Sequence, residues 1–417
     1  MRRGVLMWLA AGTAAFTLTG CFDRAELEEQ AFLVTLGVDR VRSNVTTVMA
    51  RVAVPSKLSG TSGGSAPSGG GGNGTPVVSA TGRNMNEALL LMNSGIERSI
   101  NLSHLSAVVF GEQAAKSGLL PYLRTLVRYR EFRRTLYVFV TKGDAARVFD
   151  KDEPQLETSL TRNVEDLNAQ SQRTGLAPST QVHQFLGRLE APNSDPVAPI
   201  LALNEQVAAE TKKTAGSASH LQGRRVSYRS GEIDRAGGNP VECVGTAVFR
   251  HDRMVGLLDG RETRYLRLLD QSISRLLVVL PMKGGAPLVL DVRYARPLQV
   301  ALTLGPRPVL RIHQSFEAEL VGDQSAVPLD SGAQRARVEQ ALVHYLVAGE
   351  QRVIRKAFVR YGADPFGFFA YARGDFPDYG SMERYDWHAA LKNTRVVIFA
   401  SANLRRLGVQ LSPPISS

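Results

Sequence analysis

The sequence predicts an α+β protein: three mixed α/β domains, with small sheets packed by helices, behind a cleaved lipoprotein signal peptide. Three observations lead there. Arg2 and Arg3 precede roughly sixteen mostly apolar residues ending at Leu18-Thr19-Gly20-Cys21, and a positive start, a short apolar run and a small-residue cut site describe a secretory signal. Helical and strand periodicities then alternate as far as residue 190, the order of a mixed α/β domain. From residue 286 a stretch of strict alternation runs into one long helical pattern.

The apolar run at the start is too short to span a bilayer, which takes about twenty residues. A cut directly before a cysteine resembles a bacterial lipobox. That resemblance implies cleavage after Leu18, Thr19 and Gly20, leaving Cys21 as the mature N-terminus, an N-palmitoyl and S-diacylglycerol cysteine. At about 0.8 kcal/mol per buried CH₂, one acyl chain binds reversibly and two give stable attachment. An ordinary signal peptide, or an uncleaved anchor with an incidental cysteine, is the alternative.

Composition sets the outer limits. An apolar fraction of 43% with 21% charged residues is that of a core-forming protein, and 417 residues allow two or three domains. The formal charge is +11, falling to +9 when segment 1–20 takes Arg2 and Arg3 with it. Such a surface suits anionic headgroups, while the scatter of the basic residues argues against a nucleic-acid groove. There are two cysteines. With Cys21 committed to lipid, Cys243 has no disulfide partner and reads as a small buried hydrophobe.

The expected domains are 21–192, 193–284 and 285–417. In the first, Phe32–Asp39 and Val45–Pro55 read as a hairpin. The stretch 58–75 is Gly/Ser-rich, lacks the Gly-Lys-Ser/Thr ending of a phosphate loop, and reads as a spacer. Asn84–Ile96 reads as a helix with Met85, Ala88, Leu89, Met92 and Ile96 on one face, begun by the capping pair Asn84 and Glu87. Leu105–Gly111 and Leu136–Val140 are continuous β-type runs, expected to be buried on both faces, with an amphipathic helix over Leu119–Arg130 between them. Pro154–Arg173 and Pro178–Glu190 read as helices. Beyond the Pro-rich Ala191–Pro199, the segments Val197–Leu203, Arg224–Arg229, Val241–Arg250 and Met254–Leu258 are β-like, and Asp259 caps a helix to Asp270. In the last domain Leu310, Ile312, Gln314, Phe316, Ala318 and Leu320 line one strand face. A long helix at about 332–361 starts at the capping box Ser331–Gln334 and stops at Gly362. The aromatic-rich Asp364–Trp387 reads as a loop, and Thr394–Ala402 as a final strand.

No pattern of catalytic residues emerges. His104, His183, His220, His251, His313, His344 and His388 are spread singly, without metal-ligand spacing. The one G-x-S-x-G match, Gly60–Gly64, sits in the Gly-rich spacer without the strand and helix that a nucleophile elbow needs. Glu28/Glu29 and Asp375/Asp378 read as solvated charge. The densest basic cluster is Arg124, Arg128, Arg130, Arg133 and Arg134. It suits a helix C-terminus, or docking to lipid headgroups or an acidic partner.

Four blocks of the sequence resemble one family. They are Gly20-Cys21-Phe22-Asp23-Arg24 through Leu36-Gly37-Val38-Asp39; His104–Arg134 (HLSAVVFGEQAAKSGLLPYLRTLVRYREFRR), followed by the strand and Lys142-Gly143-Asp144-Ala145; Gly245–Arg250 with Met254–Leu258; and Asp364-Pro365-Phe366-Gly367 with Trp387 and Val396–Leu407. In this order they are similar to the Ger(x)C spore-germination lipoproteins, C subunits of the GerA-type nutrient germinant receptors. Phe22 stands where the family usually has Trp, 58–75 looks like an insertion, and Phe366-Gly367-Phe368 varies the terminal motif. The resemblance implies three mixed α/β domains and anchorage on the outer face of the spore inner membrane. It also implies assembly with membrane-embedded A and B subunits, no catalytic residues and no cofactor. Direct nutrient binding stays open. The rival readings are a substrate-binding lipoprotein of an uptake system, with two similar lobes, and a lipid-anchored cell-wall hydrolase.

Overall fold

The protein, seen in a computed structural model, is described over residues 29–53, 76–152, 160–210, 226–282, 286–323 and 331–406. The predicted signal segment, Cys21 and the Gly-rich 58–75 lie outside these residues. The fold is mixed α/β, built on two sheets.

The first sheet grows from β1 (Gln30–Arg42) and β2 (Val45–Val52), the predicted hairpin, which pair antiparallel; β3 (Val77–Gly82) adds to β2 as an edge. Helix α1 (Met85–Met92) packs Met85, Ala88, Leu89 and Met92 inward, and the Asn84 side chain accepts from Glu87 N–H at its start. The short β4 (Ser99–Asn101) pairs parallel with the first residues of β1, and β5 (Ala107–Phe110) with its middle. Helices α2 (Glu112–Ser117) and α3 (Leu120–Arg128) lead to β6 (Tyr137–Thr141). Next come α4 (Ala145–Lys151), α5 (Leu160–Thr174), α6 (Val182–Glu190) and β7 (Val197–Leu203). After α7 (Glu205–Glu210), β8 (Val241–Arg250) and β9 (Arg253–Leu258) close the order β3-β2-β1-β5-β6-β7-β8-β9.

Both faces of this sheet are covered. Leu36, Val38, Val108, Phe110, Val138 and Val140 pack on one side, and Met49, Val109, Phe139, Phe149 and Leu201 on the other. Continuous β-type runs such as LYVFV are what double burial demands of a sequence.

Helix α8 (Gly260–Leu269) starts at Asp259, whose side chain and that of Glu262 form a reciprocal capping box. The second sheet contains β10 (Arg275–Leu280), β11 (Leu288–Tyr294), β12 (Gln299–Thr303), β13 (Val309–Asp323) and β14 (Arg395–Arg406), with β14 parallel to β13. Its inner face, including Leu310, Ile312, Phe316 and Ala318, packs on Val338, Leu342, Leu346 and Val353 of α9 (Gly332–Arg355). The Ser331 side chain caps α9 at Gln334 N–H, the first half of the expected capping box. Its last turn, Lys356–Tyr361, widens to π geometry before Gly362 ends it at φ +60°, the left-handed stop that favours glycine.

Three expectations change. The stretch 193–284 holds no sheet of its own among the described residues: β7, β8 and β9 extend the first sheet, while α8 and β10 serve the second core. An apolar run specifies that a strand is buried and says nothing of which neighbour it pairs with. Residues 226–229, expected to be β, form no strand. The supposed loop 364–387 is largely helical turns, including 3₁₀ over Phe368–Asp375, α10 (Tyr379–Arg384) and the start of α11 (Trp387–Ala390). Asp378 caps α10 through Ser381 N–H.

Candidate functional site

Of the residues singled out from sequence, Leu18, Thr19, Gly20 and Cys21 fall outside the described part of the chain. The basic cluster falls inside it. Arg124 and Arg128 stand one turn apart on the exposed side of α3, opposite the buried Leu123 and Leu126. With Asn86, Pro121, Thr125 and Tyr129 they line a groove of about 330 Å³. Tyr129 Oη donates to Asn86 Oδ1 at 3.1 Å, fixing the ring at the groove's end. Arg130, Arg133 and Arg134 follow in the exposed connection to β6.

The motif residues instead form two buried clasps. In the first, Asp39 at the end of the β1 core accepts from Ala145 N–H (2.8 Å) and Ala146 N–H (3.0 Å), so it caps α4 from another element. Asp144, the positional N-cap, makes no side-chain cap bond. Burial raises the Asp39 carboxyl above its ordinary pKa, and the two amide donors pull it back. Gly111 explains itself here: a Cβ would stand 1.9 Å from Asp39 Oδ1. Beside it Glu112 accepts from Gly143 N–H at 3.0 Å and pairs with Lys116 at 2.6 Å. The Leu-Gly-x-Asp, Gly-Glu and Lys-Gly-Asp-Ala blocks are thus one knot.

The second clasp ties the first sheet to the C-terminal turns. Asp195, fully buried just before β7, accepts from His251 N–H (3.1 Å), Asp364 N–H (2.7 Å) and the His388 ring (2.8 Å). The His388 contact runs in this direction in the ring tautomer that carries its hydrogen on Nε2. Asp364 in turn accepts from Gly367 N–H, Phe369 N–H and Trp387 Nε1, each at 3.0 Å. Burial, more than the nearby Asp195 charge, raises the Asp364 carboxyl above its usual range. Arg188 of α6 donates to the carbonyls of Asp195 and Pro365, and Asn193 to those of Met382 and Tyr385. A third tie needs a glycine: Tyr361 lies where a Cβ on Gly256 would reach 2.1 Å from its ring, and its hydroxyl donates to Leu257 O at 2.7 Å.

Three of the other histidines make contacts within the fold. His104 stacks edge-on against Phe32, His313 lies flat on Phe399, and His183 meets Arg134 O. Among the described residues no group of three His, Cys, Asp or Glu could hold a metal, and no helix is long and apolar enough to cross a membrane. Burial pushes the Cys243 thiol up to about 12, so it holds its proton and is a poor nucleophile. Asp195 and Asp364 are paired carboxylates, but their oxygens are taken by the bonds above. Sequence reasoning missed Asp195, which carries no motif of its own, and Arg267. Arg267 is fully buried and donates to Ser171 O (2.7 Å) and Ala177 O (2.8 Å), supplying donors to the C-terminal end of α5.

The motif residues of this mixed α/β body clasp one element to another, and comparison with known proteins makes its class specific. The chain matches the spore germination protein N-terminal domain over residues 23–203 and the spore germination B3/GerAC-like C-terminal domain over 244–408. It belongs to the Ger(x)C family of spore germination proteins. YfkR of Bacillus subtilis (strain 168), assigned by name to spore germination, is 30% identical over 64% of this chain and 62% of its own length. Spore germination protein GerQC of Bacillus cereus is 21% identical over 85% of this chain and 88% of its own. Spore germination protein KC of B. subtilis is 27% identical over about half of each chain, 48% and 49%. The crystal structure of the GerBC protein superposes with a TM-score of 0.50 over 88% of this chain and 96% of that one, at 16% identity, and shares the fold.

Proposed function

We propose that the chain is the lipid-anchored, non-catalytic C subunit of a nutrient germinant receptor. Cys21, acylated after cleavage of 1–20, holds it on the outer face of the spore inner membrane. There it assembles with the membrane-embedded A and B subunits, so that nutrient binding leads to germination. The observation that carries the reading is position: the N-terminal family match begins at residue 23, two residues past the lipobox cysteine. The clasps support it further, since motif residues consumed in joining elements leave the outer surface to make contacts. A substrate-binding lipoprotein would have two similar lobes, whereas the two sheets here differ in strand number and order.

Replacing the cysteine tests this directly. Spores carrying Cys21→Ala are expected to lose the protein from the inner-membrane fraction on immunoblots, and to respond poorly to nutrient. Unchanged membrane retention together with normal germination would overturn the proposal.

A further inference from the structure

Among the described residues, Arg124, Arg128, Arg130, Arg133 and Arg134 form no ion pair, although Arg83, Lys116, Lys142 and Arg147 elsewhere in the same half of the chain all do. All five are exposed, and the one acid among them is Glu131. Glu87, on the helix flanking the groove, is already bound to Arg83 at 2.7 Å. The groove therefore presents two guanidinium groups at i and i+4, with no protein anion to neutralise them.

Its position follows from the strand register. Strands β1, β5 and β6 are parallel, with Thr35 level with Ala107 and Ala107 level with Tyr137. The arginine-bearing connection 129–136 therefore enters β6 from the end at which β1 begins. Gln30, the first residue of β1, is separated from Cys21 by a stretch of chain that extends at most ~30 Å, at roughly 3.3–3.6 Å per residue.

We propose that this end of the first sheet is a membrane-facing surface. Arg124 and Arg128 take an anionic phospholipid phosphate in their groove, and Arg130, Arg133 and Arg134 lie against neighbouring headgroups. Guanidinium forks match phosphate oxygens two at a time. The orientation relative to the anchor rests on the lipid-anchored reading; the affinity for anionic lipid does not, so the two can fail separately.

The test uses the chain from residue 21 with Cys21→Ser, which carries neither acyl groups nor the apolar run of 1–20, sedimented with vesicles of phosphatidylcholine alone or mixed with phosphatidylglycerol. Binding only to the mixed vesicles is expected, weakening as salt is raised. Excess inorganic phosphate should release the protein no more than chloride of equal ionic strength. Arg124→Ala/Arg128→Ala should weaken the binding about thirty-fold, taking ~1 kcal/mol per arginine near an anionic surface and about 1.4 kcal/mol per factor of ten. Both positions are exposed, so unchanged circular dichroism keeps the comparison sound. Binding indifferent to phosphatidylglycerol, or undiminished in the double variant, overturns the proposal. So does a variant that binds vesicles normally yet leaves native spore membranes, which would give the groove to an acidic protein instead.

Discussion

Asp195→Ala is expected to lower the unfolding free energy of the protein by about 3–5 kcal/mol, the loss typical when one partner of a buried, hydrogen-bonded pair is removed. The carboxylate serves three donors from three separate places in the chain: His251 N–H, Asp364 N–H and the His388 ring. A methyl group accepts from none of them. Each buried donor left without a partner costs about 1–3 kcal/mol. Asp195→Asn keeps one acceptor oxygen and should fall between the variant and the parent. Once 1–20 is removed, Trp387 is the chain's remaining tryptophan, and its indole donates to Asp364, so its fluorescence reports on the clasp itself. Urea unfolding followed by fluorescence and by circular dichroism measures the loss. A shift within about 1 kcal/mol of zero would show that the three donors find other partners and that the clasp holds nothing together.

That clasp also marks how far the sequence could be read. Asp364, Gly367 and Trp387 are close together in the chain and stood out as a block. Asp195 is distant from them and lies in the Pro-rich stretch Ala191–Pro199. Its partners are set by three-dimensional placement, and no local pattern encodes that. The same holds for sheet membership. The alternation along Leu310–Ala318 and the capping residues Asn84, Asp259 and Ser331 are local signals, and each appears in the structure as expected. Which edge β7, β8 and β9 join is a long-range choice, so they read as a unit of their own. Strand β3, with its alternately exposed V-V-S-A-T-G, lacks the apolar weight that flags a strand. Of the candidate site, the arginines were legible because charge clusters in sequence along one helix. The groove beside them needed Asn86, which comes from α1.

Glu350→Gln is expected to change stability most at alkaline pH, and in the stabilising direction. Glu350 is fully buried in α9 and accepts from Gln314 Nε2 of β13 at 2.5 Å. The other oxygen of each residue, Glu350 Oε1 and Gln314 Oε1, has no hydrogen-bond partner. Two acceptors cannot satisfy each other, whereas a protonated carboxyl supplies a donor of its own while still accepting from the amide nitrogen. Burial, only partly opposed by the Gln314 bond, pushes the carboxyl from its ordinary 4.5 up to about 8. The folded chain therefore keeps a proton that the unfolded chain has already released. In that window the native state binds more protons, so stability falls as pH rises from about 4.5 through about 8, by up to roughly 1.4 kcal/mol per unit. Glutamine holds the same shape, donates and accepts without titrating, and removes that slope. Below pH 5 parent and variant should unfold at nearly the same urea concentration. At pH 8 the variant should be the more stable by several kcal/mol. Other titrating groups cancel in the difference between the two curves, which isolates this one carboxyl. A difference that stays flat from pH 5 to pH 8 would mean that Glu350 is ionised in the fold, its charge met by something other than Gln314.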